Sequence, residues 1–254
     1  MTGLPKVPRG SGEHPIALVA ITSTKLDASK AFYAAQFGWE ITPLSSEACA
    51  CSTQAGQAVA LRAGNPKGFP SMVPFVAVDD VDKALARAVA AGCTVEKPKW
   101  KVPMVGDLAR FTDPSGTIWG LTGSAEMKPR EPLPQALGDG PKPPPGSICN
   151  VELYARDFAQ CARFVREQFG WQTLESMPGY MMFDPGAGMG GVFQSHTPSL
   201  PAVAYVYVED VKRKLAAIEQ AGGKRTGDPM SMPGMGTFGY FNDPTGTAMG
   251  LIGP

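Results

Sequence analysis

Asn150, Glu152 and Tyr154 stand two residues apart in the stretch ICNVELYA, and the residues between and after them, Val151, Leu153 and Ala155, are apolar. Period-two alternation marks a half-buried strand, so the amide, the carboxylate and the phenol share one face. AVAYVYV at 202–208 gathers Val203, Tyr205 and Tyr207 on one face in the same way. A carboxyl group among apolar neighbours is partly desolvated. Its pKa then rises toward general-base range, and it can equally anchor a cationic or hydroxylated ligand. The plainer alternative is a glutamate satisfied by Tyr154, Tyr205 or Arg156 in a structural network. Asn150 reads likewise, as a ligand-orienting amide or a satisfied buried one. Nearby lie Tyr240 and many methionines, among them Met177, Met181, Met182, Met189, Met230, Met232, Met235 and Met249. Methionine suits an adaptable ligand wall and fills irregular cores equally well. Met230, Met232 and Met235 fall in DPMSMPGMG, a Gly/Pro-rich loop with the composition of a lid. The candidate set is therefore Glu152 for acid/base work, with Asn150, Glu152, Tyr154, Tyr205, Tyr207, Met235 and Tyr240 for ligand binding.

Other chemistries find little support. Lys+Arg and Asp+Glu are equal at 23 each, so no basic excess points to nucleic acid. The start, MTGLPKVPRGSGEHP, has no apolar segment of the secretory kind, and the longest apolar stretches elsewhere are strand-sized. The five cysteines contain no CxxC pair, which fits a reduced, cytoplasmic protein better than a disulfide or zinc scaffold. Cys49 and Cys51 would share a strand face, as reactive thiols or as small half-buried residues. A small-molecule ligand, no cofactor, no membrane or nucleic-acid partner, and a monomer or homodimer are expected.

Positioning falls to a duplicated chain. FTDPSGTIWGL at 111–121 returns as FNDPTGTAMGL at 241–251, and Phe37-Gly38-Trp39 returns as Phe169-Gly170-Trp171. The copies span 16–123 and 148–252. They are preceded by a tail at 1–15 and joined by the Pro/Gly-rich linker 124–147. The second copy runs to the end of the chain, giving a second domain at 148–254. Each copy is built of two similar halves, strand then helix then short strands, and glycines 38, 92, 170 and 222 close the four helices. Four βαβββ units result. Each buries one sheet face under its helix and leaves the other to line something. DPSG and DPTG read as turns before the last strand. Trp39 and Trp171 fit helix–sheet packing. Trp100 and Trp119 have no repeat partner, which makes them better candidates than Trp39 and Trp171 for a ligand wall in the first domain, although a structural role is the favoured reading of both.

VDDV at 78–81, VEDV at 208–211, P-x-x-G at 103–106 and 233–236, and the DP-[ST]-GT turns resemble the vicinal oxygen chelate superfamily. That superfamily contains glyoxalase I, bleomycin-resistance proteins and extradiol dioxygenases, and the two-domain glyoxalase-like branch is the nearest likeness. The resemblance implies an α+β protein of two tandem domains, each a pair of βαβββ modules forming an incomplete barrel around a cavity. It also implies metal ligands on the first, fifth and eighth strands. Those positions hold Leu18, Val73 and Gly120 in one copy and Asn150, Val203 and Gly250 in the other. The fourth strands, AVALR and GVFQS, offer no acid. The two histidines, His14 and His196, lie in the tail and in a loop. No metal site is expected. The inner face of the first domain, Leu18, Ala20, Thr22, Val73, Phe75 and Ala77, is expected to be nearly apolar. The expected function is metal-independent binding of a hydrophobic or aromatic compound in the second cavity. The alternative is a metal-free isomerase, lyase or cyclase acting through Glu152, and a divalent-metal glyoxalase or dioxygenase ranks below both.

Overall fold

The computed structural model describes residues 6–64, 71–232 and 236–254, so Met235 lies outside the described residues. The first domain runs β1 (Ile16–Ser23), α1 (Leu26–Phe37), β2 (Glu40–Pro43), β3 (Ala48–Ser52), β4 (Ala58–Ala63), then β5 (Met72–Ala77), α2 (Val81–Ala90), β6 (Thr94–Val102), β7 (Gly106–Thr112) and β8 (Ile118–Thr122). The second repeats the order: β9 (Ile148–Tyr154), α3 (Phe158–Phe169), β10 (Gln172–Met177), β11 (Tyr180–Asp184), β12 (Gly191–Gln194), β13 (Ala202–Tyr207), α4 (Val211–Gln220), β14 (Lys224–Arg225), β15 (Met230–Met232), β16 (Gly236–Asn242) and β17 (Ala248–Gly253).

The helix boundaries follow from capping chemistry. The last acid of each VDD or VED sequence is an N-cap: Asp80 accepts from Lys83 N at 3.0 Å and Asp210 from Arg213 N at 2.9 Å. Asp157 caps α3 through Gln160 N at 3.0 Å. Gly38 and Gly170 end α1 and α3 in the left-handed region, at φ 68° and 70°, where a side chain would be strained. Lys25, at the start of α1, makes no side-chain cap. Instead Ser29, inside the first turns, donates to Asp243 Oδ2 of the other domain at 3.1 Å.

Each domain is one open sheet. The first is ordered β2-β3-β4-β1-β5-β8-β7-β6, and the second repeats this as β10-β11-β12-β9-β13-β17-β16-β14, with β15 added on β16. Within each half the first and last strands pair in parallel, as β1 does with β4 and β5 with β8, and the halves join antiparallel through β1 and β5. The sheets curl. Phe75 on β5 and Trp100 on β6 are three strands apart, yet their ring centroids lie 6.4 Å from each other. Three flat inter-strand steps would span about 14 Å.

The outer faces and the helices form one apolar core shared by the two domains. Phe32 and Phe37 of α1 each lie 6.1 Å from Phe241 of β16, and Phe164 of α3 lies 6.0 Å from Phe111 of β7. The two turns clamp this junction. Asp113 Oδ1 accepts from Ser115 N, Ser115 Oγ and Thr117 N, and Thr117 Oγ1 donates to Tyr154 O of the other domain at 2.8 Å. In the mirror arrangement Asp243 Oδ1 accepts from Thr245 and Thr247, and Thr247 Oγ1 donates to Thr22 O at 2.7 Å. The DP-[ST]-GT sequences are turns, and they also join the domains.

Several expectations are sharpened here. Trp119 takes the structural role. It is fully buried, donates to Asp113 Oδ2 at 2.9 Å and packs on Trp171, Phe169 and Phe193. Met181, Met189 and Met249 belong to the shared core, and of these three Met249 also reaches the lining of a pocket in the second domain. Part of the N-terminal tail is tied to the second domain. Ser11 N donates to Gly170 O, Gly12 N to Pro185 O, and His14 O accepts from Trp171 Nε1 at 2.7 Å. The linker does more than cross the surface. Leu133 N donates to Gly188 O at 2.8 Å, and Ala136 and Leu137 pack against the inner face of the second sheet. Trp39 and Trp171 pack helix against sheet, stacked on Tyr33 and Phe183 at 4.7 and 4.9 Å.

Candidate functional site

The inner face of the second domain carries a short chain of acid and phenols. Strand alternation sends Val151 and Leu153 into the shared core, which leaves Glu152 on the other face, opposite Val203 in the β9–β13 register. Tyr205 pairs with Gly250 on β17, and Tyr240 pairs with the same glycine from β16. The glycine makes the arrangement possible. A Cβ at Gly250 would stand 2.5 Å from Tyr205 Cε1, so only a residue without a side chain lets that ring lie across the strand. Tyr205 OH then donates to Glu152 Oε2 at 2.7 Å and shares a 2.6 Å hydrogen bond with Tyr240 OH.

Burial sets the electrostatics. Glu152 is 8% exposed, and desolvation raises its carboxyl above the usual range, opposed by the Tyr205 hydrogen bond and by His196. Desolvation pushes the Tyr240 phenol up to about 12 and that of Tyr205 well above its ordinary value, with the Glu152 charge adding to both. The trio is therefore a proton-holding group with one titratable acid, flanked by phenols that stay protonated and can donate.

Above it opens a pocket of ≈ 350 Å³ whose lining includes Glu152, Tyr240, Tyr180, His196 and Leu200. Tyr180 OH and His196 Nε2 share a 3.0 Å hydrogen bond at the rim. The fully buried Gln194 holds the loop that carries His196: its Oε1 accepts from His196 N and Thr197 N, and its Nε2 donates to Thr197 O. Alternation along β11 could have found Tyr180, since Met181 and Phe183 point into the core. His196 carried no such signal, because it comes from a loop.

The predicted residues divide. Glu152, Tyr205 and Tyr240 come together. Asn150 is half-buried across from Tyr205 in the register and does not line the pocket. Tyr154 sits at the end of β9, where its carbonyl receives Thr117, and it is likewise outside the pocket lining. Tyr207 is buried with Ala136 of the linker, away from the pocket. Met230 is exposed at the surface.

The expected metal positions do not suit a metal. Leu18 and Val73 are apolar, and a Cβ at Gly120 would stand 2.5 Å from Phe75 Cε1, so aromatic rings occupy the space in which an acidic ligand would begin in both domains. Among the described residues, no three His, Cys, Asp or Glu side chains are grouped to hold an ion. Cys49 and Cys51 do share a face, with sulfurs 4.0 Å apart, but both are buried in the shared core.

The expectation for the first domain is corrected by its charges. Leu18, Ala20, Val73 and Phe75 do form an apolar inner face, joined by Leu108 and Trp100. Arg62 and Arg110 share that face by alternation with Ala60 and Leu108, and Lys97 lies over the Trp100 ring at 4.2 Å.

Comparison with known proteins agrees with this architecture. The model of the family described as "Glyoxalase/Bleomycin resistance protein/Dioxygenase superfamily" matches residues 16–121 and 147–250. A protein of Mycobacterium bovis, CFP32, whose name includes the word glyoxylase, is 27% identical over 93% of this chain and 93% of its own. A glyoxylase-like domain-containing protein of Didymella fabae is 28% identical over 40% of this chain and 88% of its own. Among solved structures, the Mn(II)-bound glyoxalase of Novosphingobium aromaticivorans superposes with a TM-score of 0.65 at 19% identity, covering 94% of this chain and 81% of its own. The 2,3-dioxygenase LapB of Pseudomonas sp. KL28 superposes with a TM-score of 0.64 at 15% identity, covering 100% and 93%. At these identities the two structures speak for the fold alone.

Proposed function

Because the chain belongs to the glyoxalase/bleomycin resistance protein/dioxygenase superfamily, we propose that it works in a way its own residues dictate: as a metal-independent binder of a small hydrophobic or aromatic molecule in the pocket of the second domain. The observation that carries this reading is the Glu152–Tyr205–Tyr240 chain at the pocket wall, built over Gly250 where the family's resemblance places an acidic ligand. A ligand enters between Tyr180 and Leu200 and buries apolar surface. A hydroxyl or amine on it meets the Glu152 carboxylate, which fixes its orientation at small energetic cost because the acceptor is already held by Tyr205. Asn150, Tyr154 and Tyr207 then support the sheet around the pocket and touch the ligand little. A cytoplasmic setting suits five cysteines that are all free.

A second reading follows from the raised Glu152 carboxyl. A buried acid with a protonated phenol beside it can take a proton from a ligand carbon or oxygen while the phenol stabilises the charge that forms, as in a metal-free isomerase, lyase or cyclase.

The test begins with protein purified without added metal, analysed for bound metal and, after denaturation, for released small molecules by mass spectrometry. An apolar or aromatic compound released in stoichiometric amount, with metal well below one per chain, is the expected result. Stoichiometric zinc, nickel, manganese or iron overturns the reading. Glu152→Gln separates binder from enzyme: it leaves affinity for the released compound within a few-fold in a binder and abolishes turnover in an enzyme.

A further inference from the structure

The second domain has a cavity at each end of β16 and a closed stretch of inner face between them. At one end Tyr240 and Asn242 line the pocket beside Glu152. At the other lies a cavity of ≈ 470 Å³, whose lining includes Gly236, Thr237, Met232, Ala136 and Leu137. Four residues of strand, about 13 Å, separate Gly236 from Tyr240. The register fills in what lies between. Tyr205, Gly250 and Tyr240 form one row across β13, β17 and β16, and Tyr207, Ile252 and Phe238 form the next on the same face. The first row carries the hydrogen bonds to Glu152. The second packs with Ala136 and Leu137 of the linker in one apolar cluster.

That cover is held at its ends. Leu133 N donates to Gly188 O at 2.8 Å on one side. On the other, Gly146 N donates to Tyr207 O, Tyr207 N donates to Ser147 O, and Trp39 Nε1 of the first domain donates to Gly146 O at 2.7 Å. Between these anchors, residues 134–145 exchange no hydrogen bond with either sheet among the described residues. Their bonds stay local: Lys142 Nζ donates to Gly138 O, and Pro144 O accepts from Ser147 N. Five prolines in this segment remove donors and stiffen it, while a Cβ at Gly138 or Gly140 would meet nothing within 4 Å. Apolar contact alone therefore seats the middle of the linker. The seat is close: a Cβ at Gly236 would stand 2.8 Å from Leu137 Cδ2.

We propose that residues 134–145 are a displaceable strap, and that lifting it joins the two cavities into one elongated site for a rod-shaped apolar ligand about 13 Å long. This rests on the reading of the second-domain pocket given above and adds the shape of ligand that it takes. A short ligand sits beside Glu152 and leaves the strap seated. A long one keeps its polar end at Glu152, lays its body over Tyr207, Ile252 and Phe238, and takes the place of Ala136 and Leu137. The strap is then a competitor tethered at both ends. Apparent affinity for long ligands is reduced by the fraction of molecules in which the strap is lifted, and short ligands escape that reduction.

Two naphthols test this by fluorescence titration of the whole chain. 2-Naphthol is the short probe, and 6-phenyl-2-naphthol adds one ring along the same axis. Leu137→Ala loosens the strap and should tighten 6-phenyl-2-naphthol at least about fivefold, while 2-naphthol stays within about twofold of wild type. Ala136→Gly should act in the same direction with a smaller change of volume. A wall that merely lined a site would behave oppositely, because truncating it removes contacts with the ligand. Unchanged or weakened binding of 6-phenyl-2-naphthol in both variants overturns the strap, and so does equal tightening of the two probes. If 2-naphthol still binds in either case, the pocket reading stands without the strap. Failure of both probes to bind wild type and both variants removes the pocket reading and the strap with it.

Discussion

Replacing Tyr205 by phenylalanine removes one oxygen atom and leaves the ring, which can keep its edge contacts with Phe238 and Tyr240 at 6.4 and 5.7 Å. That oxygen donates to Glu152 Oε2 and bonds Tyr240 OH. A hydrogen bond to a charged group contributes about 1.5–3 kcal/mol, and a neutral one about 0.5–1.5 kcal/mol. The loss falls on a carboxylate only 8% exposed, where water replaces the donor poorly. Tyr205→Phe should therefore cost about 3 kcal/mol at neutral pH, a fall in Tm of roughly 6–12 °C for a chain of this size. Tyr240→Phe, which spares the bond to Glu152, should cost about 1 kcal/mol. Glu152→Gln keeps an acceptor but removes the charge, so in that background Tyr205→Phe loses two neutral hydrogen bonds and should cost about 2 kcal/mol, leaving a coupling of about 1 kcal/mol. Urea unfolding of the four proteins of the cycle, and of Tyr240→Phe beside them, at one pH measures all of this. A Tyr205→Phe protein within about 0.5 kcal/mol of wild type, or equal costs in the two backgrounds, would refute the reasoning that the phenol holds a charged acid.

Other consequences concern pH, space and the domain junction. Burial raises the Glu152 carboxyl, so the folded state holds its proton more tightly than the unfolded chain. Its stabilising contribution is fully present below the ordinary carboxylate pKa and is lost as pH rises through the raised folded value. Glu152→Gln should therefore gain stability relative to wild type across that interval, as read from urea midpoints at several pH values; parallel curves would contradict the assignment. Gly250→Ala and Gly120→Ala each drive a Cβ into an aromatic ring and should cost about 1–3 kcal/mol by thermal unfolding. The Gly250 change should also weaken ligand binding by displacing Tyr205, and an unchanged Tm in both would show that the rings move aside freely. Asp113→Ala removes the acceptor for Ser115 N, Thr117 N and Trp119 Nε1 at a buried turn, with an expected loss of about 3–5 kcal/mol. A loss below about 1 kcal/mol would mean that the turn holds without its acid.

Much of this architecture is local and therefore legible in the chain. Asp80 and Asp210 cap helices because a short acid before an amphipathic run has few other uses. Alternation along 148–154 separates Glu152 from Val151 and Leu153 whatever lies around them. The same alternation was available for Arg62, after Ala58 and Ala60, and for Arg110, after Leu108, yet an arginine in a strand reads as solvent-facing. What hid the cluster was distance along the chain: Arg62, Lys97 and Arg110 come from three strands, and the sheet's curl brings them onto one inner face. His196 escaped for a related reason, since a loop has no period to reveal its direction.

Taken alone, the amino-acid sequence determined two copies of paired βαβββ units, the caps and turns that bound them, and the residue types, Leu18, Val73 and Gly120 in one copy and Asn150, Val203 and Gly250 in the other, at the positions where the resemblance places metal ligands. These are properties of neighbours and of repeats, which a linear string records. Tertiary structure decided how the copies use their two faces. It put the helices and the DP-[ST]-GT turns between the domains, laid Ala136 and Leu137 of the linker over the second sheet, and left each inner face to its own chemistry, Glu152 with phenols on one and arginines with aromatics on the other. The physical reason is that desolvation and charge proximity depend on distances in space, and those distances exist only once the sheets have curled and the helices are buried.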